Sequence, residues 1–133
     1  MRSTRCARTQ QGEHGSAVVD FVLVLVVLIP LFLGILQLAL VLHVRNTLTA
    51  AASDGARYAA TVDRSPADGA VHTRGQIAGA LSERFAREVT ARQTSVDGAA
   101  AVEVTVVADV PALGLWGPAV RLRVEGHATE ESR

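Results

Sequence analysis

Lysine is absent from this 133-residue chain, and cysteine occurs once. The basic charge is all arginine, and 13 arginines balance 13 acids to a formal net charge of zero. No stretch is basic enough to track a phosphate backbone, which argues against a nucleic-acid partner. The single cysteine, Cys6, gives neither a disulfide framework nor a thiolate metal site. The residues before it, Arg2-Ser3-Thr4-Arg5, lack the apolar stretch of a lipoprotein signal. Catalytic signatures are missing too. No serine sits in a G-x-S-x-G setting, and no glycine loop is built for phosphate. His14, His43, His72 and His127 are scattered, with none at metal-ligand spacing. The sequence therefore predicts no catalytic residue, no cofactor and no metal.

What the chain does have is a long apolar run. From Phe21 to Leu42 there are 22 residues, of which 18 are Leu, Ile, Val or Phe, and Gln37 is the one strongly polar member. About 20 apolar residues span a hydrocarbon core. At roughly −0.3 to −0.6 kcal/mol each, the 18 sum to roughly −5 to −11 kcal/mol in favour of insertion. Pro30, Gly34 and Gln37 subtract only part of that. Pro30 removes one helical hydrogen bond and favours a bend. A cleaved secretory signal is the rival reading, since Ala50-Ala51-Ala52 offers an A-x-A-like site. Its apolar region would be far longer than the usual 7–15 residues. Arg2, Arg5 and Arg8 precede the run, whereas Arg45, Arg57 and His43 follow it. That excess orients a single-pass protein in the cytoplasmic membrane with its N-terminus inside and its C-terminal region outside.

Helical periodicity continues past the run. Val41, Val44, Leu48, Ala51, Ala52, Gly55, Ala56 and Ala59 recur at three- and four-residue steps, opposite Arg45, Asn46, Asp54 and Arg57. Such a stripe suits packing on the chain's own domain or packing between subunits. A helix from Ala17 to Thr61 would be roughly 65–70 Å long. Asp63 to Gly69 has loop composition. Thr73-x-x-Gln76 reads as a capping box opening a second helix, with a stripe of Ile77, Leu81, Phe85 and Val89 and an end near Ala91. Asp97-Gly98 is a turn signal. Two strands follow, carried by Val102, Val104 and Val106 and by Val120, Leu122 and Val124. The connection between them, Pro111 to Pro118, is apolar; Leu113, Leu115 and Trp116 either cover the core or rest on a membrane interface or partner. The expected fold class is α+β, with a long N-terminal transmembrane helix extending into a small domain of one further helix and a short antiparallel sheet. The expected divisions are a basic leader at 1–15, a transmembrane and amphipathic helix at 16–62, and a small extracytoplasmic domain at 63–133.

The junction at the mouth of the apolar run carries the functional signal. Gly15-Ser16-Ala17-Val18-Val19-Asp20-Phe21 places small residues and then a carboxylate between a short basic leader and the membrane segment. This resembles type IV prepilins, whose leader peptidase cuts after a glycine, with an acid at the fifth mature position. The matching residues are Gly15 as the cut site, Ser16 as the new N-terminus and Asp20 as the acid; Asp20 stands where the usual residue is Glu. Phe21 matches the aromatic that often follows. Together with Arg45-Asn46 and Ala51 to Ala60, and with the strand–proline–loop–strand pattern near the C-terminus, the chain resembles the TadE-like pseudopilins of tight-adherence (Flp-type) pilus systems. The resemblance implies a minor pilin or assembly factor, processed by a prepilin peptidase. Its implied partners are other pilins or pseudopilins, the Tad secretion machinery and the membrane.

The physics of the junction is compatible with that. After cleavage a free amine at Ser16 and the carboxylate of Asp20 would sit one turn apart in an apolar setting where both need partners. A neighbouring subunit's amine can pair with the acid; alternatively Asp20 is only an N-terminal helix residue at the headgroup level, favoured by the helix dipole. Two other functions compete. A major shaft pilin is argued against by the region from Val71 to Ala128. An unprocessed, signal-anchored binding module would keep residues 1–15.

Overall fold

A computed structural model of the chain describes residues 13–113 and 118–130. The leader residues Arg2, Arg5, Cys6 and Arg8, and Leu115 and Trp116 of the apolar connection, lie outside them. The chain divides into two compact units, Met1–Leu36 and Gln37–Arg133.

Helix α1 is continuous from Glu13 to Ala60, 48 residues, and passes through Pro30. In the first unit it is alone among the described residues. Its apolar side chains face outward, with Phe21, Leu28 and Phe32 each at least half exposed. The second unit uses the rest of the helix differently. Val44, Leu48, Ala51, Ala52, Ala56 and Ala59 are buried in the core, while Arg45, Asn46, Asp54 and Arg57 are exposed. The small-residue stripe thus packs on the chain's own domain.

Helix α2 spans Pro66–Ala80. Its start differs from the expectation at Thr73. Ser65 is the N-cap: its hydroxyl accepts from the Asp68 N–H, and the Asp68 carboxylate accepts from the Ser65 N–H at 2.9 Å. Pro66 occupies the first turn, where its missing N–H costs nothing. The Pro, Gly and Asp content that reads as a loop is therefore a helix start. Thr73 lies inside the helix, fully buried, and its hydroxyl donates to the Gly69 carbonyl at 2.8 Å. The end differs as well. α2 stops at Ala80, a short 3₁₀ turn covers Glu83–Ala86, and the chain then enters strand β1, Glu88–Val96. Ile77, Phe85 and Val89 are buried together as the stripe implies, but from three elements rather than one helix.

Strand β1 is an addition to the two expected strands. β2 spans Ala99–Val110 and β3 Val120–Thr129, in a three-stranded antiparallel sheet of order β1-β2-β3 among the described residues. β1 and β2 are joined at Asp97-Gly98, where φ is +52° and +83°. Two successive positive φ values define the hairpin turn whose twist matches the strands. The register runs from Val96 opposite Ala99 to Glu88 opposite Val107, and from Ala101 opposite Thr129 to Val110 opposite Val120. β2 is central and more buried than a half-exposed strand. Val102, Val104, Val106, Ala108 and Val110 face the core, and Glu103 and Thr105 on the other face are also buried. β3 is placed by Gly126: a Cβ there would strike the α1 backbone at Ala52 and Ser53. Sheet and helix approach that closely because the residue has no side chain.

Candidate functional site

Two polar clusters and one exposed junction carry the chemistry of the described residues. The first cluster ties α1 to α2. Gly55 and Gly69 let the two backbones touch, since a Cβ on Gly69 would lie 2.6 Å from the Gly55 carbonyl oxygen, and one on Gly55 would overlap the Thr73 hydroxyl. At the rim His72 Nε2 donates to Asp54 Oδ2 at 2.8 Å, and the Gln76 amide donates to the same oxygen. The Tyr58 ring stacks on His72 with centroids 4.2 Å apart and planes 3° apart. The Arg64 guanidinium lies 3.9 Å from the Tyr58 ring centroid, giving a three-layer stack. The hydrogen bond from His72, and then that from Gln76, hold the Asp54 carboxyl below the usual carboxylate range.

The second cluster crosses the outer face of the sheet. Register sets Arg92 and His127 on either side of Glu103. Arg92 Nε donates to Glu103 Oε1 at 2.8 Å, and His127 Nε2 donates to Oε2 at 3.0 Å. The Glu103 side chain is only 8 % exposed. The bond from Arg92 is the main cause that holds its carboxyl low; burial opposes this, and His127 adds to it. Glu103, Glu125 and His127 offer ligand atoms within 4.8 Å of one another, the spacing of a divalent-cation site. The donor set fits an ion-pair network better. Both Glu103 oxygens accept protein hydrogen bonds, and Glu125 Oε1 accepts from Arg123 Nε at 2.9 Å. A cation would have to displace these bonds. His127 also lines an open groove of about 560 Å³ with Arg57, Thr61 and Thr129, whose lining among the described residues includes no carboxylate.

The junction lies on α1. Gly15, Ser16, Asp20 and Phe21 are all exposed, and Asp20 follows Ser16 by four residues, one turn. A Cβ on Gly15 would meet nothing within 4 Å. From Gly15 to Ala60 the helix is long and apolar enough to cross a membrane, and it is a candidate membrane anchor. The helix thus joins a small-residue junction, an acid, an exposed apolar run and a small-residue stripe in one element. Residues 15–57 match the TadE-like protein family. The TadE-like segment begins at Gly15 and ends within α1, so α2 and the sheet lie beyond it. No curated protein and no solved structure matches the chain.

Three features of the described residues had no assigned role in the sequence. Asp54 with His72, and Glu103 with His127, are separated by 18 and 24 positions, and only folding brings them together. Their signal would have been the helix face of Asp54 and the strand register, which the sequence does not print. Gln37 did stand out, as the one strongly polar residue of the apolar run. Its side chain bonds residues more than 70 positions away.

Proposed function

We propose that this chain is a minor pseudopilin, an assembly subunit of a tight-adherence (Flp-type) pilus or secretion system. The TadE-like match suggests involvement in Tad pilus assembly in general. The narrower reading is carried by one observation: the matched segment opens at Gly15, immediately before an exposed serine and, one turn later, an exposed acid at the mouth of the apolar helix. A prepilin peptidase would cut between Gly15 and Ser16. The mature chain would stand in the cytoplasmic membrane with its N-terminus inside and the second unit outside, partnered by other pilins and the Tad machinery. Asp20 and Phe21 would serve assembly, the Asp20 carboxylate pairing with the Ser16 amine of a neighbouring subunit and setting its axial register.

N-terminal sequencing of the membrane-extracted protein tests the cut. The mature chain is expected to begin at Ser16, and Gly15→Val to leave the uncleaved form in the membrane. Retention of Cys6 in the wild-type protein would favour an unprocessed, signal-anchored binding module instead. Asp20 is tested separately. One carboxylate at the edge of the span costs at most about 3 kcal/mol, well below the favourable sum for the helix. Asp20→Ala is therefore expected to insert and be cut, yet to lose cross-links to pilus components and surface piliation, while Asp20→Glu keeps both. Full piliation by Asp20→Ala would make the acid a bystander.

A further inference from the structure

We infer that the segment from Pro111 to Leu113, which follows β2, is a second membrane contact, seated in the outer leaflet against the last turns of the span and held there by Gln37. The inference rests on the reading of Phe21–Leu42 as a membrane segment with its C-terminal end outside.

Gln37 lies five residues before the end of the apolar run, about 7.5 Å deeper along the helix axis than Leu42. An amide at that depth has no water to bond, and leaving it unpaired costs several kcal/mol. Its two polar ends are both satisfied by the connection. Gln37 Nε2 donates to the Pro111 carbonyl at 3.3 Å, and Gln37 Oε1 accepts from the Leu113 N–H at 2.7 Å. The reverse also holds: a loop entering lipid must have its backbone groups paired, and Gln37 pairs one acceptor and one donor. Pro111 and Pro118 bring no N–H to satisfy.

The surface around the clamp suits hydrocarbon. No charged residue occurs from Val110 to Val120. Leu113 is 48 % exposed and Val120 38 % exposed, beside a helix whose Leu38 and Leu42 are exposed as well. The first charges along the two strands are Asp109 and Arg121, which face each other and form an exposed ion pair at 3.1 Å. On α1 the polar residues begin at His43, with Arg45 and Asn46 following. Charge thus returns in both elements just beyond the clamp, as it should at a leaflet boundary. The occupant is lipid, because the patch adjoins Leu38 and Leu42, exposed residues of the apolar run, rather than standing as an island on a polar surface.

Site-directed spin labelling of the full chain, reconstituted in vesicles of phosphatidylethanolamine and phosphatidylglycerol, tests this. Cys6→Ser removes the one native thiol. Labels go at Leu113→Cys, at Leu31→Cys within the span, and at Val71→Cys, exposed on α2. Leu31 and Leu113 are expected to favour oxygen over a water-soluble nickel chelate, with Leu113 the shallower. Chelate access at Leu113 should be several-fold below that at Val71. In Gln37→Leu the Leu113 label should move toward the Val71 value while Leu31 stays deep. A water-exposed Leu113 with Leu31 in lipid overturns the inference and leaves the span intact. A Leu113 label shielded from both reagents means that protein, not lipid, covers the loop, and overturns it too. An aqueous Leu31 removes the span and the inference together. An unmoved Leu113 in Gln37→Leu removes Gln37 as the holder.

Discussion

At Gly126 the side chain is a hydrogen because the α1 backbone at Ala52 and Ser53 occupies the place of a Cβ. Gly126→Ala must push helix and sheet apart, and a loss of about 1–3 kcal/mol or more is expected in denaturant titrations of the detergent-solubilised protein. Gly75 in α2 is the control, since a Cβ there meets nothing. Gly75→Ala should instead stabilise by about 0.4–1 kcal/mol through the unfolded state. A second residue-scale consequence concerns acid. The folded carboxyl of Glu103 titrates below its ordinary value of 4.5, so the folded state binds its proton less readily than the unfolded chain. Its contribution to stability is complete above that ordinary value and is lost as pH falls through the lowered one. The melting temperature should therefore drop on acidification below about pH 4.5, and Glu103→Gln should flatten that drop while lowering stability at neutral pH. Melting curves of both proteins from pH 7 down to pH 3 check this; equal acid slopes would assign the effect to Asp54 or other carboxyls.

The elements differ in how far the sequence disclosed them. α1 was legible because both signals it carries are strong: an unbroken apolar run, then small residues at helical spacing. The Asp97-Gly98 turn was legible because two positive φ values favour those residues. α2 was misplaced because two capping boxes compete within nine positions. Ser65 with Asp68 is the one used, and Pro66 made it look like a loop. Ser65→Ala is expected to cost about 1 kcal/mol, and Thr73→Ser about 0.5–1.5 kcal/mol for the buried methyl, with the hydroxyl bond to Gly69 kept. β1 was hidden because Phe85, Val89 and Ile77 also fit a helical stripe, and the 3₁₀ turn that breaks it has no strong sequence mark. The polar clusters were illegible for a different reason: each needs two elements in register. The largest buried side chain of α1 in the core is Leu48, fully buried. Leu48→Ala should lower stability by about 2–5 kcal/mol, a cost a helix serving only as a tether would not show.

For the whole molecule, one helix does two jobs whose residues follow each other without a break. The exposed apolar residues up to Leu38 suit lipid, Leu40 and Val41 already pack against the core, and Val44 lies within it. A signal-peptidase cut after Ala52 would remove Val44, Leu48, Ala51 and Ala52 from the packed cluster, so the secretory-signal reading leaves a product without half of its helix layer. The same arithmetic governs shedding. A protease that cuts the turn at Thr61–Ser65 frees the sheet and α2, while the part of α1 that covers them stays behind with the candidate anchor. Such a fragment, residues 63–133, should bind a dye for exposed apolar surface and melt without cooperativity, whereas 37–133 should melt cooperatively by circular dichroism. A cut at that turn would then be equivalent to destruction, and residues 63–133 would stay folded only while joined to the part of α1 that covers them.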